Sequence, residues 1–330
     1  MKIVKKVLPI ILRVGISIVL LVFLFRYVDA KALLQVIKNA DMSLVLLAAV
    51  IYFSAYILAL FRWEMLLKGA KVYLPLKRVI ISFAGGNFFS LFLPSSIGGD
   101  FVRSIDLATH TQRPREIVAT VLLDRLSGFV GLVIIALLAL VFGWKLVEEE
   151  SVIWSVVIIV GILVAALFIL FNSFLYSKIN QILHSPTAGR IREAIKNLHQ
   201  EIHIFRHHKK IIINNLVLSI LIQSIAPLTF YIIALSLGVK INIAYFFVYL
   251  PIIGAITFLP ISIGGLGLRD AMTIFFFSKA GMSKDLAFAM SLINFSFILV
   301  YALIGGFIYV LNVHHRRIQY HKPQQIQSPR

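Results

Sequence analysis

The chain has 330 residues, of which 60% are hydrophobic and 14% are charged, and its mean hydropathy is +0.94. Soluble domains contain about 45–50% apolar and about 25% charged residues, so this composition excludes a soluble protein and indicates a membrane protein with several spans. The 32 basic and 14 acidic residues give a net charge of +18. Because the basic residues lie between apolar runs, we expect membrane phospholipids as partners and no nucleic acid.

Several apolar runs come close to the roughly 20 residues that a helix needs to cross a bilayer. In chain order, these runs cover about residues 8–25, 43–61, 126–143, 151–173, 211–236 and 286–311. The first run follows Lys2, Lys5 and Lys6, as in a signal peptide. Since this run can span and further spans follow it, we expect an uncleaved signal anchor. The sequence therefore predicts one all-α, polytopic transmembrane domain over residues 1–330, with about six membrane helices.

Two more apolar runs, at about 79–97 and 244–263, carry a repeated motif. Phe92–Arg103 and Phe258–Arg269 lie 166 residues apart and are identical at eight of twelve positions, including a proline, a Gly-Gly pair and the final arginine. The same offset maps the second and third spans onto the fifth and sixth, so the duplication covers whole halves. Apolar segments that Gly and Pro interrupt at corresponding positions of two halves indicate a transport-type binding site.

The distribution of charge decides between two topologies for these runs. If both runs cross the membrane, the basic stretch 103–125 and the very basic segment 176–210 lie outside, against the positive-inside tendency. If each run enters and leaves on the same side, these segments and both termini become cytoplasmic, and residues 148–150 face out. We therefore expect two re-entrant Gly-Gly hairpins. The alternative is a pair of membrane helices that kink at proline.

The spans that precede the two hairpins run in opposite directions, so the halves are expected to form an inverted repeat, which supports alternating access to a midplane site. We place the first repeat at about 8–143 and the second at about 151–311. Segment 176–210 has apolar residues at helical spacing and basic residues on its other faces, which predicts an amphipathic interfacial linker. Residues 319–330 are expected to form a disordered tail.

The broken hairpins have the chemistry of an anion site. Non-helical backbone inside a bilayer must line protein or a wet cavity, because unpaired amides and carbonyls are costly there. The glycines turn the chain, so each second leg presents its N-terminal amides to the membrane interior. Arg103 and Arg269 follow about one helical turn later, where they can bind a phosphate. The alternative is that each arginine snorkels or pairs with Asp106 or Asp270.

Charges that occur only in the first half are expected to select the ligand. Asp100, Asp124 and Arg125 occupy positions whose repeat partners are uncharged. A deep Asp124–Arg125 pair must face the cavity, because lone charges in lipid are expensive; the alternative is an interfacial ion pair. Glu64 and Arg62, beside Trp63 at the end of the second span, are expected to form an interfacial anchor; the alternative is a direct ligand role. The predicted substrate-binding residues are Ser96, Gly98, Gly99, Asp100, Arg103, Asp124, Arg125, Ser262, Gly264, Gly265, Arg269 and Asp270.

The sequence contains no pattern that predicts catalysis, a metal or a cofactor. Cysteine is absent, and no GxSxG, Walker-type or HExxH motif occurs, so we expect no catalytic residues. His199, His203 and His207 share one face of the linker, but neither a thiolate nor a carboxylate cluster completes a metal site. A solvated or headgroup-facing histidine stripe is the simpler interpretation.

Three motifs stand in order along the chain: Pro94–Arg103, Leu123–Gly128 and Pro260–Asp270. Together they resemble the transmembrane domain of the lysylphosphatidylglycerol synthase/flippase family, and the resemblance covers essentially the whole chain. In that family an acidic residue follows Gly-Gly-x-Gly-x-Arg, as Asp270 does, and an acidic-Arg-x-x-Gly motif matches the residues from Asp124. The resemblance implies lipid handling, since the family's membrane domain is associated with moving aminoacylated phosphatidylglycerol across the bilayer.

The sequence therefore predicts a lipid flippase, or a transporter of a lipid-linked precursor, that moves an anionic or aminoacylated phospholipid across the cytoplasmic membrane of a prokaryote. The 330 residues contain no soluble aminoacyl-transferring domain like that of full-length synthases, so a transporter is expected before an enzyme. One alternative is a membrane-embedded transferase, lysylphosphatidylglycerol synthase-like or glycosyl-transferring, with Asp100 or Asp124 as general base. Another is a non-catalytic partner of a separate lipid-modifying enzyme.

Overall fold

The computed structural model describes residues 35–93, 97–143, 209–258 and 265–320, and the isolated positions Trp154, Val157, Ile158 and Gly161. Every regular secondary-structure element in these ranges is an α-helix. The helices are α1 (Met42–Gly69), α2 (Leu76–Ser90), α3 (Ile97–Thr111), α4 (Pro114–Gly143), α5 (Lys209–Ser236), α6 (Ile243–Phe258), α7 (Leu268–Lys279) and α8 (Lys284–Tyr320). The predicted all-α class is confirmed.

Within the described ranges, 4 helices are long and apolar enough to cross a membrane. They are residues 42–69 of α1, 114–139 of α4, 209–236 of α5 and 284–312 of α8. They correspond to expected spans and confirm a polytopic membrane protein. The expected spans 8–25 and 151–173, the linker 176–210 and the tail 319–330 lie wholly or almost wholly outside the described residues.

Helix α1 illustrates how these segments become membrane helices. Asp41 caps its N-terminus by accepting hydrogen bonds from the backbone amides of Ser43 and Leu44, at 2.9 and 3.4 Å. Exposed apolar side chains then recur every three or four residues along one face: Leu46, Val50, Phe53, Ile57 and Phe61. Such a continuous exposed stripe is expected where a helix meets lipid. Helix α1 also packs against α4 and α5.

Helices α2 and α3 form an antiparallel hairpin. Arg78 near the start of α2 pairs with Asp106 near the end of α3 at 2.6 Å. Towards the other end of the hairpin, a Cβ atom added to Gly99 would collide with the carbonyl group of Gly86. Each leg has 15 residues, about 22 Å at 1.5 Å per residue, which is shorter than the roughly 30 Å hydrocarbon core. One leg alone therefore cannot cross a bilayer, although the re-entrant placement itself stays a prediction.

Helices α6 and α7 form the corresponding hairpin of the second half. Phe246 near the start of α6 contacts Phe277 near the end of α7, with ring centroids 4.8 Å apart. The first residue of α7, Leu268, comes later in the motif than the first residue of α3, because Gly267 adopts φ +76° and interrupts the helix. The equivalent position of the first half is Phe101, which lies within α3. The two hairpins thus share their order but differ in where the second leg begins.

The helices of the described ranges fall into two sets with the same order of a long, two short and a long helix, α1–α4 and α5–α8. The sets interleave, because α1 packs against α5, and α4 packs against both α5 and α6. Helix α8 approaches α2 so closely that a Cβ atom on Gly305 would lie 2.8 Å from the carbonyl oxygen of Ala84. This order fits the predicted duplication, whose outer bounds and inverted orientation stay predictions.

Candidate functional site

Asp124 lies in the interior, between α1 and α3, and its side chain is 6% exposed. Its Oδ1 atom accepts from Nε and Nη2 of Arg62, each at 2.8 Å. Its Oδ2 atom accepts from Nη2 of Arg103 at 2.9 Å. Asp124 is thus buried inside the protein with two guanidinium partners other than Arg125, and its depth in the membrane stays a prediction.

Asp100, in the first turn of α3, extends this set of charges. Its Oδ1 atom lies 2.9 Å from Nη2 of Arg103, and its Oδ2 atom accepts from Nε of Arg125. The five residues form a continuous chain of ion pairs, Arg62–Asp124–Arg103–Asp100–Arg125, which we call the charge cluster. Three guanidinium groups and two carboxylates give the charge cluster a formal charge of +1.

Arg103 is held in the charge cluster by aromatic and polar neighbours. Its Cζ atom lies 4.6 Å from the centroid of the Trp63 ring and 5.7 Å from that of Phe83, a cation–π arrangement. Trp63 is positioned in turn by a hydrogen bond from its Nε1 atom to Oγ1 of Thr120 at 3.3 Å. The Nε atom of Arg103 is buried without a hydrogen-bond partner among the described residues. Buried guanidinium nitrogens without a partner also occur outside the cavity, at Arg78 and Arg269, so this one does not by itself indicate a ligand.

Arg62 belongs to this site, and its expected role as an interfacial anchor is wrong. The residue is 6% exposed, and its Nη1 atom donates to Oγ of Ser219 on α5 at 2.9 Å. The signal for a buried position is present in the sequence, because the apolar residues continue through Leu67 and α1 ends only at Gly69. An arginine about two turns before the end of a helix is inside the span and needs a partner.

The charge cluster lines a cavity of about 340 Å³ between the two sets of helices. Ligand pockets commonly measure about 300–1,000 Å³, so the cavity has room for a small polar group. Its uncharged lining consists of Tyr56, Ala59, Phe83, Gly86, Asn87, Ser90, Gly99, Gly128, Phe129, Leu132, Ile222, Gln223 and Gly254. Guanidinium groups can bind an oxyanion here, while amides and hydroxyls can bind its polar substituents.

Only some of the predicted glycines and serines lie at this cavity. Gly99 is part of its lining, whereas a Cβ atom on Gly98 would instead meet the side chain of Leu93. Gly265 lies beside Thr257 in the second half and does not line the cavity. The predicted residues outside the described ranges are Ser96, Ser262 and Gly264.

Arg269 and Asp270 form a separate pair in the second half. Asp270 is 1% exposed and accepts from the backbone amide of Gly267 at 3.0 Å, from Oγ of Ser291 at 2.5 Å and from Nη2 of Arg269 at 3.1 Å. Arg269 also lies over the ring of Phe295, with 5.3 Å between Cζ and the centroid. The protein's own carboxylate thus caps the N-terminus of α7, and neither residue of the pair lines the cavity.

The part of the chain that the structure describes contains no group of three His, Asp or Glu residues that could hold a metal ion. The histidine stripe of the linker, His199, His203 and His207, lies outside the described ranges.

Comparison with known proteins matches residues 10–306 to the family model described as the lysylphosphatidylglycerol synthase TM region. A UPF0104 membrane protein of Methanothermobacter thermautotrophicus is 24% identical over 300 residues, which cover 84% of this chain and 88% of that protein. A UPF0104 membrane protein of Pyrococcus horikoshii is 23% identical over 334 residues, which cover 93% and 97%. The family match includes every residue of the charge cluster and of the cavity lining.

Proposed function

The chain belongs to the family of the lysylphosphatidylglycerol synthase TM region, and we propose that it is a flippase that moves an anionic or aminoacylated phospholipid, or a lipid-linked precursor, across the bilayer. The observation that carries this proposal is the buried charge cluster, which lines an internal cavity of a polytopic membrane protein. The proposed location is the cytoplasmic membrane of a prokaryote, with both termini in the cytoplasm.

The charge cluster suits a phosphate group. Arginine presents parallel N–H donors that match phosphate oxygens, and three arginines converge on this cavity. An uncompensated charge inside a membrane protein is expensive, so the formal charge of +1 favours an anionic occupant.

The dimensions of the cavity favour a headgroup as its occupant. A volume of about 340 Å³ accommodates a phosphate with a small substituent, but not two acyl chains as well. The acyl chains would remain in the bilayer, which the exposed apolar stripe of α1 faces. This division of polar and apolar parts is what transbilayer movement of a phospholipid requires.

The two sets of helices provide a means of changing access to the cavity. Its lining combines α1–α4 of the first set with residues of α5 and α6 from the second set. Relative motion of two repeats around a fixed central site is the usual basis of alternating access in transporters. We propose that motion of the second set against the first exposes the charge cluster to each side in turn.

Reconstitution tests the proposal. The purified chain is placed in phosphatidylcholine vesicles that contain a trace of acyl-labelled phosphatidylglycerol, and the label in the outer leaflet is quenched chemically. We expect the protein to accelerate loss of the inner-leaflet label relative to protein-free vesicles. An unchanged rate for every anionic and aminoacylated lipid tested would contradict a flippase.

A membrane-embedded transferase is the competing function. It needs Asp100 or Asp124 as a general base, yet each carboxylate oxygen of these two residues already lies within 2.9 Å of a guanidinium nitrogen. Mass spectrometry of lipids from expressing cells separates the two functions, because a transferase produces a covalently changed lipid and a flippase does not. A non-catalytic partner would co-purify with a separate lipid-modifying enzyme and move no lipid by itself.

A further inference from the structure

Each carboxylate oxygen of the charge cluster contacts an arginine. Oδ1 of Asp124 is held by Arg62 and Oδ2 by Arg103, while the two oxygens of Asp100 are held by Arg103 and Arg125. Among the described residues that line the cavity, these aspartates are the acidic ones. An ammonium group entering the cavity would therefore share these oxygens with guanidinium groups that already offset their charge.

We infer that the cavity selects anionic phospholipids whose headgroup bears hydroxyl groups but no positive charge, and that it rejects aminoacylated lipids. This inference rests on the proposed function. It distinguishes anionic phospholipids from aminoacylated phospholipids, which the proposed function treats together. Two unit charges about 6 Å apart, at an effective dielectric constant of about 20, change an equilibrium by roughly 100-fold. The formal charge of +1 in the charge cluster thus favours a phosphodiester and opposes an ammonium group.

The neutral lining of the cavity is consistent with a hydroxylated headgroup. The amide nitrogen of Asn87 donates to the carbonyl of Phe83, and that of Gln223 donates to the carbonyl of Gly128, each at 2.9 Å. Each amide oxygen can accept a hydrogen bond from a hydroxyl, and Gln223 has a second N–H donor beyond its bond to Gly128. An ammonium group has less to gain from the Phe83 ring, because Arg103 already lies over it.

Arg125 is the residue that sets this selectivity. Its side chain is 37% exposed, whereas those of Arg62 and Arg103 are 8% and 5% exposed and are bonded to Asp124. Without the guanidinium group of Arg125, two arginines balance two aspartates and the formal charge of the cluster becomes zero. The change Arg125→Gln should therefore reduce discrimination against a positive headgroup, while Arg125→Lys should retain it.

The test compares three acyl-labelled lipids in the same phosphatidylcholine vesicles: phosphatidylglycerol, its lysyl ester and phosphatidylcholine. We expect the full chain to move phosphatidylglycerol at least about tenfold faster than the other two lipids. This ratio is smaller than the roughly 100-fold effect of one unit charge, because part of that effect is screened. Equal or faster movement of the lysyl ester would overturn the inference and leave the flippase intact. Equal movement of phosphatidylcholine would also overturn it, and movement of none of the lipids would contradict the proposed function instead.

Variants of two arginines on α4 assign the selectivity to the charge cluster. Arg125→Gln should bring the ratio of the phosphatidylglycerol rate to the lysyl-ester rate close to one. Arg115→Gln removes the same charge from an exposed position outside the cavity and should leave the ratio unchanged. A folded Arg125→Gln protein with the wild-type ratio would overturn the role of Arg125. If that variant fails to fold, the ratio of the wild-type protein and that of Arg125→Lys still decide the inference.

Discussion

Arg62 and Asp124 meet inside the protein through two nitrogen–oxygen contacts of 2.8 Å, although they lie on different helices and 62 positions apart in the sequence. The same arginine reaches Ser219 on α5, so one guanidinium group connects α1, α4 and α5 beside the cavity. Removal of one partner from a buried ion pair leaves an uncompensated charge and typically costs about 3–5 kcal/mol. This relationship allows the structural and functional roles of the charge cluster to be measured separately.

Replacement of Asp124 tests the centre of the cluster. Asp124→Asn leaves Arg62 and Arg103 without their shared counter-charge. We expect the variant to lose about 3 kcal/mol of stability, read as a lowered melting temperature in detergent by intrinsic tryptophan fluorescence. The matched control is Glu116→Gln, which breaks the partly exposed pair with Arg113 and should cost no more than about 1 kcal/mol. Equal melting temperatures for the two variants would show that the cluster contributes no special stability.

Replacement of Arg103 by lysine tests the geometry of its guanidinium group. Arg103→Lys keeps the charge but loses the planar group that joins Asp100 to Asp124 and lies over Trp63. Because lysine cannot reproduce those contacts together, we expect lipid movement to fall by about tenfold or more in reconstituted vesicles. Arg115→Lys, at an exposed position of α4, serves as the control. A wild-type rate for Arg103→Lys would mean that charge alone is sufficient.

The contact between α2 and α8 is tested by a pair of glycine substitutions. A Cβ atom on Gly305 would lie 2.8 Å from the carbonyl oxygen of Ala84, whereas one on Gly254 would lie 3.7 Å from Leu132. Gly305→Ala should therefore destabilise the protein by about 1–3 kcal/mol, because the two helices must move apart. Gly254→Ala should be neutral or stabilising, since alanine favours a helix. Thermal unfolding of both variants measures the difference, and a stabilising Gly305→Ala would contradict the close contact.

The second-half pair is expected to stabilise the protein without binding the ligand. Asp270→Asn weakens the cap of α7 and the contacts with Arg269 and Ser291. We expect a loss of about 1–3 kcal/mol in stability, but lipid movement per folded molecule close to that of the wild type, because Asp270 does not line the cavity. Melting temperature and vesicle assays are measured on the same preparation. A stable Asp270→Asn protein that moves no lipid would place a second binding site in this hairpin.

Much of the fold follows from local sequence. Apolar runs of sufficient length predict the long helices, and the interruptions by proline and glycine predict a break in each of two shorter runs, which falls between two short helices. The first-half charges Asp100, Arg103, Asp124 and Arg125 were also expected at one site, because isolated charges inside a membrane protein require partners. The structure brings these four residues together in the charge cluster.

The pairings within the site depend on packing between distant segments. Arg62 reaches Ser219, which lies 157 positions away, and no local periodicity predicts which buried polar groups will meet. In the second half, the carboxylate of Asp270 caps the helix that begins two residues before it. This local interaction occupies the helix N-terminus that the sequence analysis assigns to an anion. Sequence patterns therefore identify charges that need partners inside a membrane protein, whereas the tertiary arrangement decides which of them share a cavity.

The most direct test of the central claim is the rate at which labelled phosphatidylglycerol crosses vesicles containing the wild-type chain, Arg103→Gln or Arg115→Gln. Arg103 lines the cavity and bonds Asp124, whereas Arg115 is exposed on the same helix as Asp124 and lies outside the cavity. We predict fast movement with the wild-type chain and Arg115→Gln, and a rate near that of protein-free vesicles with folded Arg103→Gln. Wild-type movement in folded Arg103→Gln would contradict a role of the charge cluster in carrying the headgroup.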